Sequence, residues 1–489
     1  MTCNNGKNGG YMTVYLALTL TVLIALCLAL IEGCRYHGIR LETECVMDIG
    51  MDSILAEYHR ELLTQYHLFA IDSSYGSEYA STVMTEKHLL EYMNCNFSLD
   101  DIFLGNILYR DFFAIRAEQA DTTKVAFLTD GDGEVFRRLA IDAVEEDIGI
   151  GLLQQLIDWL QIIESRGLEE QDIAGEKQRV DMQIREYDGS KTGDGKVIHI
   201  ENPTEGLEEQ RKRGILRLVL REEDISARTI DPDALIEARV ERGEVSQGNL
   251  LVERQNNIAE QVLFHEYLLR YLGCYGAEKE ESPLWYQTEY VIAGKNNDTE
   301  NLRAVVERIF LIREAANTMY LTGSEEKTAA AEALGTVLAA AMMIPEAAKL
   351  FTATLILGWG FAESVYDVKT ILTGGKIPLL KDDTTWHYGL SSALQGDFAE
   401  ESSEKMQGMG YEDYLRVFLL LCDEGKTTYR TMNIIEQDIR NTAGNSAFRL
   451  DACIAEIGIN VKVKSRYGYS FEIERQKSYL MPLEAVDEK

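Results

Sequence analysis

One apolar block stands apart from the rest of the chain. Residues 11–31 (YMTVYLALTLTVLIALCLALI) are 21 consecutive positions without a charge. At 1.5 Å per residue a helix of that length spans about 30 Å, the thickness of a bilayer's hydrocarbon core. Asn8-Gly9-Gly10 precede it and Glu32-Gly33-Cys34-Arg35 follow, so both flanks are polar. The pattern predicts a retained transmembrane helix in a lipid bilayer. A cleaved secretory signal has a shorter apolar stretch and an A-x-A-like site, which this segment lacks. A lipoprotein signal ending at Cys34 is disfavoured by Glu32 beside the cleavage point. Lys7 on one side and Arg35 and Arg40 on the other nearly balance. The expected orientation places residues 1–10 in the cytoplasm and the bulk of the chain outside.

After the block the rhythm becomes amphipathic. Cys45, Ile49, Leu55, Tyr58, Leu62, Tyr66 and Phe69 recur mostly at threes and fours with no proline between them, which predicts a helical stalk over 32–70 continuous with the membrane helix. A hinge at Gly33 or Gly38 is the alternative; one glycine costs about 1 kcal/mol in a helix, too little to require a break. Residues 107–129 alternate and read as strands. Asp130-Gly131-Asp132-Gly133 is a turn before a helix over about 134–163. The charged stretch 166–210 reads as a helix end and a flexible insert, with a strand at 196–200. A helix at 258–271 leads to 285–293, whose alternation reads as a strand. Helices follow over 301–320, 325–343 and 345–372, with Asp298 as an N-cap and Gly374-Gly375 as the stop. A helical pair over 411–422 and 427–441 precedes a C-terminal β-hairpin over 450–463 and 467–479.

Strands on both sides of a helical block predict an α+β fold: a long N-terminal transmembrane and stalk helix, then a mostly helical head with an antiparallel sheet that includes the C-terminal hairpin. The expected regions are 1–10, a cytoplasmic tail or leader; 11–31, the membrane helix; 32–70, the stalk; 71–250, a first extracytoplasmic α+β region; and 251–489, a second, mainly helical region.

Composition narrows the function class. The 489 residues carry 48 Lys and Arg against 81 Asp and Glu, a formal net charge of −33. Nucleic-acid binding needs a basic footprint and is not expected. The eight cysteines include no CxxC pair, which removes a zinc ribbon or thioredoxin-type site.

Gly10-Tyr11-Met12-Thr13-Val14-Tyr15-Leu16-Ala17-Leu18 resembles the start of TadE/TadG-like pseudopilins of the Tad (Flp-type) pilus machinery, and Ile31-Glu32-Gly33-Cys34-Arg35 resembles the family's close of that helix. The resemblance implies a candidate processing site between Gly10 and Tyr11, cut by a prepilin peptidase. The family has Glu at the fifth mature position where this chain has Tyr15, and its basic cluster before the Gly is reduced here to Lys7. Farther along, Phe127-Leu128-Thr129-Asp130-Gly131-Asp132-Gly133, Thr288-Glu289-Tyr290-Val291-Ile292-Ala293-Gly294-Lys295, Asn301-Leu302, the run from Trp359 to Val368 and the run from Gly374 to Lys381 resemble an uncharacterised family of single-pass surface proteins of low-GC Gram-positive bacteria, encoded beside Tad components. That resemblance implies a location and a partner system without a chemistry.

Chemical motifs fall short one by one. Asp130-Gly131-Asp132-Gly133-Glu134 lacks the full calcium-loop spacing. His265-Glu266 has Leu269 where a zincin needs its second histidine. Gly374-Gly375-Lys376 lacks the P-loop's earlier Gly and following Ser or Thr. Ser324-Glu325-Glu326-Lys327 and Ser402-Ser403-Glu404-Lys405 match S-x-x-K without its partner motifs. Trp359, Glu363 and Asp367 share a helix face at spacings of four and, with Lys376 and Lys381, form a candidate polar network. No catalytic residue, metal or cofactor is expected. The expected function is that of a non-enzymatic membrane-anchored surface protein, pseudopilin-like, with pilus or secretion-system components as partners through the stalk helix. The alternatives are a membrane-tethered extracytoplasmic hydrolase using Glu363 and Asp367 for acid–base work, or an acidic ligand-binding module for cations or basic wall components.

Overall fold

The computed structural model describes residues 9–77, 79–98, 113–144, 150–190, 197–250, 257–396, 398 and 407–480. The fold is α+β, mostly helical with one antiparallel sheet. The chain divides into two compact units, neither continuous in sequence. One comprises residues 1–139, 245–253 and 447–489; the other comprises 140–244 and 254–446.

The first unit is built on helix α1 (Gly9–Leu55), strand β1 (Ile71–Asp72), helix α3 (Thr82–Phe97), strand β2 (Ile115–Phe127) and the C-terminal strands β3 (Cys453–Ser465) and β4 (Ser470–Ser478). Central β3 pairs with β2 along one edge and with β1 and β4 along the other, all antiparallel. The C-terminal hairpin is therefore present, and its sheet joins segments nearly 400 positions apart. The odd-numbered side chains Ile457, Ile459, Val461 and Val463 pack with Ile39, Met47, Met51 and Ile54 of α1 and with Leu89 and Met93 of α3. Arg475 to Asp48 (2.9 Å) and Lys477 to Asp52 (2.8 Å) add ion pairs between β4 and α1.

Helix α1 runs through Gly33 and Gly38 without a hinge. Gly38 serves packing: a Cβ there would sit 2.6 Å from the ring of Phe113. The helix stops at Leu55, short of the expected stalk end, and a separate helix α2 (Arg60–Tyr66) follows, N-capped by His59 and ended by His67 at φ 55°. The apolar spacing runs on across the break without marking one buried face: Leu62 and Tyr66 are buried, whereas Cys45, Ile49, Tyr58 and Phe69 are exposed and α1 buries Val46, Met47, Met51 and Ile54 instead. Spacing alone records neither burial nor helical continuity. Strand β2 begins at Ile115; the part of the expected strand before residue 113 lies outside the described residues.

Helix α4 (Asp130–Asp142) opens with the anticipated turn, with Gly131, Asp132 and Gly133 all at positive φ. The helix expected over 134–163 is two helices, α4 and α5 (Ile150–Ser165), with 145–149 outside the described residues. The second unit continues with α6 (Ile173–Arg185), α7 (Glu205–Lys212), α8 (Ile215–Val219), α9 (Ile236–Arg242), α10 (Ile258–Tyr271), α11 (Gln287–Ala293), α12 (Asp298–Gly323), α13 (Glu325–Ala341), α14 (Ala348–Leu372), α15 (Leu390–Gln395), α16 (Tyr411–Leu421) and α17 (Glu424–Arg440).

Four expectations fail in this unit. The stretch read as a flexible insert holds α6, whose buried face contains an ion pair of Lys177 with Asp181 beside Ile173 and Ile184. A buried charge pair erases the apolar stripe by which a helix is recognised. No strand forms over the described residues 197–200; Ile198 exchanges main-chain hydrogen bonds with Gly189 and Ser190. The segment 285–293 is likewise not a strand, because Gln287–Ala293 is helical and ends at Gly294 with φ 66°. Gln287, Thr288, Glu289, Tyr290 and Val291 are all buried. When every side is covered, alternating polarity says nothing about period. The cap of α12 is Asn297, whose side chain accepts from the Glu300 amide at 2.8 Å. Its neighbour Asp298 is buried and accepts from Ser226 Oγ and the amides of Trp285 and Tyr286.

Candidate functional site

The first candidate is α1 itself. Every large apolar side chain over residues 11–31 is at least 51% exposed. Tyr11, at the candidate processing point after Gly10, stands in the first turns at 81% exposure. From Ile39 onward the same helix turns a buried face to the core through Ile39, Val46, Met47, Met51 and Ile54. Among the described residues it is the one helix long and apolar enough to cross a membrane. Two of its threonines are accommodated by the helix itself: Thr19 and Thr21 donate their hydroxyls to main-chain carbonyls about one turn back.

The second candidate is the polar network of the second unit. Glu363 and Asp367 lie one turn apart on α14, both with no exposure. Lys381, in the segment after α14, reaches both: its Nζ pairs with Glu363 Oε1 and stands 2.6 Å from Asp367 Oδ1. Arg313 of α12 approaches Asp367 Oδ2 through Nε (2.9 Å) and a terminal nitrogen (2.7 Å). Its other terminal nitrogen donates to the carbonyls of Pro378 (2.8 Å) and Leu379 (3.0 Å). Asn317, one turn on, donates to Asp367 (2.8 Å) and Ser364 (3.0 Å). Glu363 accepts the amides of His387 (2.8 Å) and Tyr388 (2.9 Å). Two cations thus meet two carboxylates, with N–H groups on the remaining lone pairs. That is the arrangement in which a buried charge cluster is tolerated. Burial alone would push the Asp367 carboxyl up, but Arg313 and Lys381 outweigh it and hold the group below the ordinary range.

Trp359 belongs to this joint through its indole N–H, which donates to the Tyr388 carbonyl at 2.8 Å. The ring of Tyr366 stacks on His387 with centroids 3.9 Å apart. Lys376 does not join. Its Nζ lies 3.3 Å from Asp413 at the start of α16 and its side chain is 56% exposed. Sequence reasoning missed Arg313 and Asn317, although their spacing of four on one helix was the available signal.

Lys376 lines a cavity of about 480 Å³ together with Cys274, Tyr275, Gly375, Tyr411 and Arg416. That volume suits a small molecule, but the charges on its wall are matched: Arg416 pairs with Glu266 (2.6 Å) and Asp413 (3.3 Å). Behind the wall lies Glu289, without exposure. Its Oε1 accepts from the Tyr411 hydroxyl (2.7 Å) and the Tyr275 amide (2.8 Å). Burial raises its carboxyl to about 7, with the two hydrogen bonds opposing.

The calcium-like turn is occupied by main chain. The Asp130 carboxylate accepts from the amides of Phe127 (2.7 Å) and Gly248 (2.9 Å). Among the described residues no group of three or more His, Cys, Asp or Glu side chains is placed to hold a metal ion.

No curated protein and no solved structure matches this chain. One family model does, a family of unknown function, over residues 193–465. That span covers the polar network, the cavity beside Lys376 and strand β3, and it leaves out α1. Since it takes in more than half of the sequence, the chain belongs to this family, DUF5702.

Proposed function

We propose that the chain is a non-enzymatic, membrane-anchored surface protein, a pseudopilin-like component or accessory factor of a Tad-type pilus or secretion apparatus. One observation carries this reading: the two-part burial of α1. Residues 11–31 offer an apolar surface all round the helix, while residues 39–54 are a structural helix of the sheet-bearing unit. A helix apolar on every side is stable in lipid or against other helices, not in water. Its rigid continuation into a folded core transmits the position of the membrane segment to the unit it carries. In this reading the N-terminus is cytoplasmic, the bulk of the chain lies outside, and cleavage after Gly10 would leave Tyr11 first.

The hydrolase alternative draws no support from Glu363 and Asp367. Both carboxylates are committed to Lys381, Arg313 and main-chain amides, so neither is placed to take a proton from a substrate.

The partner claim is testable at the exposed face of α1. A photo-crosslinking residue at Leu41, which is 64% exposed, should give adducts with pilus or secretion-system components or with a second copy in intact membranes. The same residue at Ile54, which has no exposure, is the control. A monomer without adducts at Leu41 above that control contradicts the reading.

A further inference from the structure

The second unit carries a groove of about 500 Å³ formed by the end of α7, by α8 and the segment after it, and by the first turns of α12. Lys212, Arg213, Arg217 and Arg303 line it, against Glu222 and Glu307. Arg217 is taken by Glu222 at 2.7 Å. The side chains of Lys212, Arg213 and Arg303 have no ion pair or hydrogen bond among the described residues. Three cations therefore face one opening with a single unengaged carboxylate, Glu307, between them.

This is unexpected on charge statistics. Carboxylates outnumber basic residues 81 to 48 along the chain, so counterions are plentiful. The buried and half-buried basic groups of this unit use them: Lys177, Arg211, Arg239, Arg308, Arg313, Lys381 and Arg416 are each paired with an acid. Exposed cations such as Arg179, Arg185 and Lys349 do not, so what sets the groove apart is three such cations at one opening. Gathering like charges without partners costs Coulomb energy that a bound anion would recover. Two of the three are guanidiniums, whose planar fork fits a phosphate oxygen pair better than a point charge does. Leu216, Ile225 and Ala227 complete the lining and give an apolar shelf for an organic group beside the charge.

We propose that this groove binds a phosphate ester, with Lys212, Arg213 and Arg303 holding the phosphate and Leu216 and Ile225 supporting the organic part. The site is independent of the membrane reading, and its test does not use α1. The phosphate can come from a soluble ester or from a lipid headgroup.

The test is calorimetric titration of the detergent-solubilised full chain with inorganic tripolyphosphate and, separately, with short-chain phosphatidylglycerol. Saturable binding of at least one is expected. The double variant Arg213→Ala with Arg303→Ala should weaken it at least tenfold, while Arg179→Ala, an exposed cation on α6, should leave it unchanged. Raising the salt to about 0.5 M, where the Debye length falls to roughly 4 Å, should weaken it as well. Saturation by tripolyphosphate alone assigns a soluble phosphate. Tighter binding of the lipid, lost in the double variant, assigns a headgroup. All three residues are exposed, and an unchanged thermal midpoint confirms that the double variant folds. Absence of saturable binding for both probes overturns the proposal, as does binding that the double variant or Arg179→Ala alters equally.

Discussion

Asp367→Ala is expected to cost the second unit about 3–5 kcal/mol, the range seen when one partner of a buried ion pair is removed. The substitution leaves Arg313 facing a void at one carboxylate oxygen and Lys381 dependent on Glu363 alone, both without exposure. Against a typical domain stability of about 5–15 kcal/mol, that is a large share. All four tryptophans, at positions 159, 285, 359 and 386, belong to this unit, so denaturant unfolding followed by tryptophan fluorescence reports it selectively. Arg313→Met combined with Asp367→Leu removes charge on both sides, and its loss should be smaller than that of Asp367→Ala. A single-variant loss under about 1 kcal/mol would mean that the network is not the joint between α12, α14 and the segment after α14 that its geometry describes. The pH dependence has a definite sign. The folded-state pKa of Asp367 is lowered, so this contribution is complete above the ordinary aspartate range and is lost as pH falls through the depressed value.

Glu289 has the opposite sign. Its carboxyl is raised from 4.5 to about 7 by burial, so the folded state binds more protons than the unfolded chain between those values. Stability from this group is full below pH about 4.5 and falls as pH rises to about 7. The shift corresponds to about 3 kcal/mol. Glu289→Gln keeps an oxygen for Tyr411 and Tyr275 and carries no charge. The stability of the variant relative to the native chain should therefore climb across that window and level off above it. The other titrating groups cancel in the difference. A difference that does not change with pH would show that Glu289 is already ionised in the folded state below pH 5.

Much of this architecture was legible in the residues. The uncharged run over 11–31, the helices bounded by Ile258 and Tyr271 and by Glu325 and Leu372, and the C-terminal hairpin each carry a long apolar or alternating signal. What was not legible shares one cause, the loss of contrast between faces. Gln287–Ala293 is covered on all sides, so its alternation was read as a strand. α6 hides Lys177 and Asp181 where an apolar stripe was sought. The spacing from Cys45 to Phe69 rests on positions of which Cys45, Ile49, Tyr58 and Phe69 are exposed, so it marked neither the buried face of α1 nor the break before α2. The candidate network was half legible: Glu363, Asp367 and Lys381 are close in sequence, whereas Arg313 arrives from 54 positions before Asp367 and looked like one more charge on α12. Lys376 was grouped with them by proximity in the chain, and Asp413 claims it instead.

The two units differ in what holds them. The first relies on aliphatic packing between α1, α3 and the sheet, with ion pairs between β4 and α1 at its rim and one buried pair, Arg137 with Glu134 (3.5 Å), on α4. The second places whole charged clusters inside. Such a cluster contributes little net stability over an apolar replacement, and its geometric demands favour one arrangement of α12 and α14.

The central claim, that residues 11–31 are kept in lipid, is tested most directly by fractionating cells that produce the full chain. Membranes are washed with alkaline carbonate, and the pellet and supernatant are read by intact mass. The account predicts a pelleted protein that retains residues 11–31 and is released only by detergent. Full-length protein in the aqueous supernatant, or a product that has lost those residues, would contradict it.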